Sequence, residues 1–474
     1  MSGPPATEAT GASVPAATDS TATTPTPTGP RGPQRHRRRL GRTALVIIVV
    51  VIVAGAGIFA YLYIEKKLPG QSTAGCVSSS SITVWQDFSP TEFPAFSKAI
   101  AEFEKANPGE SVSYTNDSSP SPSNYVAAAL ACKAPDVLIA SSDFAGGLYY
   151  DFFLANLSLY LPHSAFSSFI PTALADNTQT GGIFGIPLNV NGVAMIYNKH
   201  LVPVAPTNTD EMIQDAKNIS VNNSGTWVTA GLIYGVDADG GYRYPAWLTG
   251  FGGQLFTSTG APDLDTPAAI EALEYAHNFS SVYKVEPPGV TAESTYEDLF
   301  AEGKVGMIFD GPWDIEMYVD ALGANEVGVA PMPIVSQTGL HPLPLWGSIG
   351  AYVSLRNASG ASATVFNESI QFAQFLASPS VEGQLFNSSG DIPSITSTFD
   401  YVRSLNIPFE NGFFDQFFNY SQPFPNGAAM TYYWDPYATE ISAYVANDIS
   451  ASTAMSDIQS AMVSSMQTNH VAPY

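Results

Sequence analysis

Basic residues are scarce once the first seventy positions are set aside. Eight of the eighteen Lys and Arg fall in residues 1–70, leaving ten against thirty-nine Asp and Glu beyond. A surface of that sign has little to neutralise phosphates with, which excludes nucleic-acid binding by the large part of the chain. The same net charge of −24 also serves plain solubility. Cysteine is nearly absent, with only Cys76 and Cys132. Histidine is sparse too, and His36, His163, His200, His277, His341 and His470 contain no pair at metal-ligand spacing. There is no Gly-x-Ser-x-Gly elbow and no phosphate loop. Nothing therefore calls for a cofactor or a metal, although thirty-nine acids leave open the two positioned carboxylates of a glycosidase.

Charge of either sign is low, at 13% of residues, and Ser, Thr, Asn and Gly stand where Lys and Glu are usual. Two explanations stay open. An acid habitat favours few ionisable groups, because charge then swings less as carboxylates protonate; drift in composition is the other.

Long apolar runs are as rare as cysteines. Residues 43–64 form one that is free of charge, enough helix to span about 30 Å of hydrocarbon. Arg31, Arg35, Arg37, Arg38, Arg39 and Arg42 precede it, against Lys66 and Lys67 after it. That bias predicts a transmembrane anchor with a cytoplasmic N-terminus, a cleaved signal peptide being the alternative. Residues 1–42 then form a disordered tail with a basic cluster, explained by topology and anionic headgroups. Residues 65–81 form a linker. Nine Asn-x-Ser sequons, at Asn116, Asn156, Asn218, Asn222, Asn278, Asn357, Asn367, Asn387 and Asn419, all lie beyond the span, as suits a glycosylated exported domain.

From residue 82 onward strands and helices alternate. Residues 82–85, 112–115 and 136–140 read as strands, with helices over 93–106 and 124–131 between them, which predicts parallel pairing with right-handed crossovers. Ligands of such sheets sit at the carboxyl ends of the strands, which directs Asp87 and Asp143 toward a cleft. Cys76 and Cys132 each precede a strand, so both fall at the opposite end of the sheet. A Cys76–Cys132 disulfide is the expectation; free thiols or a lipid on Cys76 are the alternatives. Further on, residues 242–256 gather Tyr242, Arg243 and Trp247. Arg243 suits a ligand carboxylate or an ordinary surface ion pair. Trp313, Trp346 and Trp434 sit beside Gly or Pro, in settings that let a ring face stack on a sugar, whereas Trp85 and Trp227 read as core.

Residues 181–199 read Gly-Gly-Ile-Phe-Gly-Ile-Pro-Leu-Asn-Val-Asn-Gly-Val-Ala-Met-Ile-Tyr-Asn-Lys. Two strand-like pieces are joined there by a short polar step, as where a chain leaves one lobe for another. Taken with Ile82-Thr83-Val84-Trp85, Ala134-Pro135-Asp136-Val137-Leu138, the run from Gly303-Lys304-Val305-Gly306-Met307 to Gly311-Pro312-Trp313, and Trp434, the chain resembles extracellular solute-binding proteins of the maltose-binding type over about residues 80–474. The resemblance implies an α/β, two-lobed periplasmic-binding-protein-like fold (type II) with three hinge crossings, preceded by the transmembrane helix. One lobe takes 82–190 and 331–391, the other 192–330 and 395–474. It implies a carbohydrate ligand, mono- or oligosaccharide, delivered to an ABC importer, and no enzymatic activity. Trp313 and Trp434 match its sugar-stacking positions and Asp143 its hydroxyl-binding carboxylate, while helix capping is the plainer role for Asp143 and Asp435. Asn191 and Asp435 stand where the maltose binder has an acid and an aromatic. Ala140 and Phe144 depart from its pattern, which puts maltodextrin itself in doubt. A secreted glycoside-active enzyme, or a binder of a polyamine, peptide or metal chelate, are the alternatives.

Overall fold

The computed structural model describes residues 80–115, 122–150, 153–236, 239–289 and 293–472, all within one compact unit, Gln71–Tyr474. The expected anchor at 43–64, the preceding tail and Cys76 lie outside the described residues. Among the described residues, no helix is long and apolar enough to cross a membrane.

Two five-stranded sheets form the cores of two α/β lobes. The first runs in the order Val112–Thr115, Ile82–Trp85, Val137–Ser141, Ile349–Val353, Gly185–Pro187. Its first three strands are parallel, as the alternation of strand and helix dictates. Ile349–Val353 enters antiparallel between Val137–Ser141 and Gly185–Pro187. The helix Phe93–Ala106 lays Phe96, Ile100 and Phe103 on this sheet, a stripe at spacings of three and four residues. Asn107 ends it, its side chain donating to Phe103 O at 2.9 Å.

The second sheet runs Val327–Ala330, Ala194–Asn198, Val305–Asp310, Thr226–Ile233, Val221–Asn223. Ala194–Asn198 is apolar without alternation because helices cover both faces: Met195 belongs to one apolar core and Ile196 to another. A smaller sheet joins Ile392–Pro393, Asn189–Gly192, Leu345–Gly347 and Gln422–Pro423. Asn189–Gly192 runs from Gly185–Pro187 of the first sheet to Ala194–Asn198 of the second, so the small sheet sits where the lobes meet.

Residues 331–344 differ from expectation. Ile334 and Thr207 or Thr209 exchange backbone hydrogen bonds of 3.0 and 2.9 Å, Thr338 Oγ1 donates to Gly250 O at 2.6 Å, and Leu343 N donates to Thr249 Oγ1 at 2.8 Å. This stretch therefore follows the second lobe, where the sequence reading gave it to the first.

Two expected cleft tryptophans are core. Trp247, 0% exposed, sits on the helix Tyr244–Gly250 among Tyr234, Tyr275, Phe279 and Phe309, at centroid distances of 5.2–6.2 Å. Trp346 lies inside Leu345–Gly347 and is 6% exposed. Its ring stacks on Phe417 at 6.1 Å and meets the edge of Phe418 at 5.8 Å. Trp85 and Trp227 are only half-buried. Cys132 is disulfide-bonded.

Candidate ligand-binding site

A cavity of about 410 Å³ opens where the strands of both large sheets end, within the usual size range of small-molecule sites. The first lobe contributes Asp87 and Phe88, which follow Ile82–Trp85, together with Ser141 and Ile349. Asn191 and Gly347 come from the small sheet, and Tyr242, Arg243 and Trp313 from the second lobe. Trp313 follows Val305–Asp310 directly, so the carboxyl-end rule that directs Asp87 inward acts on both sheets.

Four rings make a continuous row. Trp313 and Tyr242 lie 6.2 Å apart, Tyr242 stacks on Phe424 at 5.6 Å and 20°, and Phe424 and Trp434 lie 6.2 Å apart. Trp434 stands at the far end and lines a second cavity, of about 450 Å³, with Asp435, Tyr432 and Thr431. Asp435 is exposed in the first turn of Trp434–Val445, outside the first cavity.

Asp143 sits in the first turn of Ser142–Tyr150 and is 2% exposed. Its Oδ2 accepts from Trp434 Nε1 at 2.8 Å. Burial pushes its carboxyl up to about 6, against the hydrogen bonds from Ser141, Trp434 and the backbone. Asp87 rises to about 7, chiefly by burial and then through the charge of Asp143. Arg243 is buried rather than a surface partner: its Nη1 donates to Tyr296 Oη at 2.6 Å, with the guanidinium 5.1 Å from that ring's centre.

The expected site residues therefore separate. Asp87, Asn191, Tyr242, Arg243 and Trp313 share the cavity wall; Asp143, Trp434 and Asp435 lie beside it; Trp247 and Trp346 are elsewhere. Reading the sequence missed Phe424 and Glu92, which also line the cavity. Phe424 was legible as a ring between Pro423 and Pro425. Glu92 was legible as the acid of Ser89-Pro90-Thr91-Glu92, a capping-box pattern just past a strand end. Among the described residues, the carboxylates of Glu297, Asp310 and Asp314 have oxygens within 4.8 Å of one another. Asp310 there already accepts from Gly311 N at 2.8 Å and from the Tyr318 hydroxyl.

The second lobe's aromatic row and the acids and amide at the cavity suit a ligand with flat apolar faces and a rim of hydroxyls. The chain is similar to several known proteins. A maltotriose-binding protein of Pyrococcus abyssi is 26% identical over 71% of this chain and 71% of its own. A maltooligosaccharide ABC transporter solute-binding lipoprotein of Streptococcus pneumoniae is 27% identical over 68% of this chain and 74% of its own. Among solved structures, the maltose/maltodextrin-binding domain MalE of Bdellovibrio bacteriovorus bound to maltotriose superposes with a TM-score of 0.75, at 22% identity, over 82% of this chain and all of that one. The maltose-maltodextrin binding protein of the thermoacidophilic bacterium Alicyclobacillus acidocaldarius does so with 0.68, at 26% identity, over 81% of this chain and all of that one. Residues 88–383 match the family model described as bacterial extracellular solute-binding protein, and the chain belongs to that family.

Proposed function

We propose that the protein captures an oligosaccharide outside the cell and hands it to an ABC importer while tethered through residues 43–64. The observation that carries this reading is the row Trp313–Tyr242–Phe424–Trp434 beside a cavity whose other wall bears Asp87 and Asn191. Rings stack on the C–H faces of sugars, and buried carboxyls and amides take up the hydroxyls. An aromatic platform of this extent favours binding over glycoside hydrolysis, which needs two carboxylates flanking the scissile bond. The relatives, a maltotriose-binding protein and a maltooligosaccharide ABC transporter solute-binding lipoprotein, point the same way.

In this reading Asn189–Gly192, Leu345–Gly347 and Ile392–Pro393 are three hinge crossings. The first lobe then comprises 82–190 and 348–391, the second 192–344 and 395–474. Closure brings Asp143 of one lobe against Trp434 of the other. Cys132 pairs with Cys76, tying the linker to the first lobe. Calorimetric titration with maltose, maltotriose, a galactooligosaccharide, a polyamine and a short peptide tests the proposal. Micromolar or tighter binding of one sugar is expected; binding of the polyamine or peptide alone would overturn it.

A further inference from the structure

At the cavity wall, where Glu92 is one of the lining residues, two buried acids from distant parts of the chain meet. Glu92, 2% exposed, precedes the helix Phe93–Ala106, and Asp391, 1% exposed, precedes the small-sheet strand Ile392–Pro393. Glu92 Oε2 accepts from Ser89 N at 2.6 Å, while Glu92 N donates to Ser89 Oγ at 3.3 Å, completing a capping box. Among the described residues, Glu92 Oε1 finds no donor. The Glu92 carboxyl meets that of Asp391, itself an acceptor.

Asp391 is well supplied with donors. Asn189 Nδ2 reaches its Oδ2 at 3.0 Å. With the Asn191 amide oriented so that both of its ends are satisfied, Nδ2 donates to Asp391 Oδ1 at 3.0 Å and to Val190 O at 2.8 Å. Asn191 Oδ1 then accepts from Asn189 Nδ2 at 3.3 Å. One carboxylate thus fixes both amides of Asn189–Gly192, and Asn191 belongs to the cavity wall.

Two buried carboxyl groups in contact cannot both be ionised, and a proton on Glu92 would satisfy its orphaned oxygen. We propose that Glu92 and Asp391 share one proton, resting on Glu92, and that Asp391 acts as a positioning residue that orients Asn191 toward the cavity. The groups around the pair favour the proton. Glu410 is equally buried, finds no partner for either oxygen among the described residues, and lies near Glu316 and Asp391. Arg243, the cation lining the cavity, is held by Tyr296. Burial, then the charge of Asp391, raises Glu92 well above the usual carboxylate range; burial raises Asp391 as well, but there the hydrogen bonds with Glu92, Asn189, Ser389 and Asn191 oppose it.

The shared proton is independent of any ligand; the positioning role rests on the cavity being the sugar site. Infrared difference spectra of the ligand-free protein at pH 7 test the first part. Wild type minus Glu92→Gln should show loss of a protonated-carboxyl C=O band; loss of a carboxylate band instead overturns the proposal. For the second part, Asp391→Asn should weaken maltotriose about tenfold, yet weaken an Asn191→Ala protein by less than about twofold. Equal losses in both backgrounds, or no loss in either, overturn the positioning role. If wild type fails to bind maltotriose or any other sugar, the ligand reading falls, along with the role assigned to Asp391, while the infrared result still decides the proton.

Discussion

Trp434 Nε1 and Asp143 Oδ2 are joined at 2.8 Å across 291 positions of sequence. The resemblance assigned both groups to a sugar, but here each satisfies the other. Asp143 follows a strand of the first sheet, and Trp434 opens a helix whose Tyr437 and Ile441 lie in the second lobe's core. Trp434→Phe keeps the ring and removes the donor. It should lower stability by about 1.5–3 kcal/mol, the usual worth of a hydrogen bond to a charged group. Urea unfolding checks this, and an unchanged midpoint would show that the bond holds nothing together.

Stability should decline as pH rises. Burial raises Asp143 to about 6, Asp87 and Glu382 to about 7, and Asp176 to about 8. The folded protein keeps protons that the unfolded chain releases near pH 4, so the slope of stability against pH is negative between those values. The contribution is complete below about pH 4 and lost as pH passes each folded value, at roughly 1.4 kcal/mol per proton and pH unit. Melting temperatures from pH 3 to 9 decide it. A maximum near pH 7 would contradict the burial of these groups, while an acid maximum would favour the acid-habitat explanation of the sparse charge.

Trp313 and Trp247 should behave oppositely. Trp313→Ala should weaken sugar binding about tenfold or more with little change in melting, because its ring borders the cavity. Trp247→Ala should cost about 3–5 kcal/mol of stability, because it empties a buried ring site. Calorimetry beside thermal melting separates the two; parallel losses in both variants would remove Trp313 from the site.

The Cys76–Cys132 bond should appear as a mass gain of two alkyl groups only after reduction. Alkylation without reduction, or a lipid on Cys76, would disprove it. Protease added to intact cells should likewise digest everything beyond residue 68 and spare the N-terminal tail.

Where local pattern decides structure, the sequence was easily read. Ile82–Trp85 and the helix Phe93–Ala106 follow from apolar period and end signals, and the strand's end leads to Asp87. Residues 331–344 have no period, and tertiary hydrogen bonds alone assign them to a lobe. Trp346 misled because a neighbouring Gly suggested a loop, whereas Gly347 ends a strand, and Trp247 misled because it lies close in sequence to Tyr242 and Arg243, whereas its helix places it in the core. The meeting of Glu92 with Asp391 joins positions almost three hundred apart, a pairing that no local pattern encodes.

The strand order of the first sheet also governs how the molecule is made. Ile349–Val353 sits between Val137–Ser141 and Gly185–Pro187, yet it is synthesised long after both. Until it emerges, the sheet has an open edge and Gly185–Pro187 has no neighbour to join. The first lobe therefore cannot mature while the second is being translated, and its apolar face must wait unprotected in the meantime. A chain cut before residue 349 should therefore be degraded rather than accumulate as a stable half.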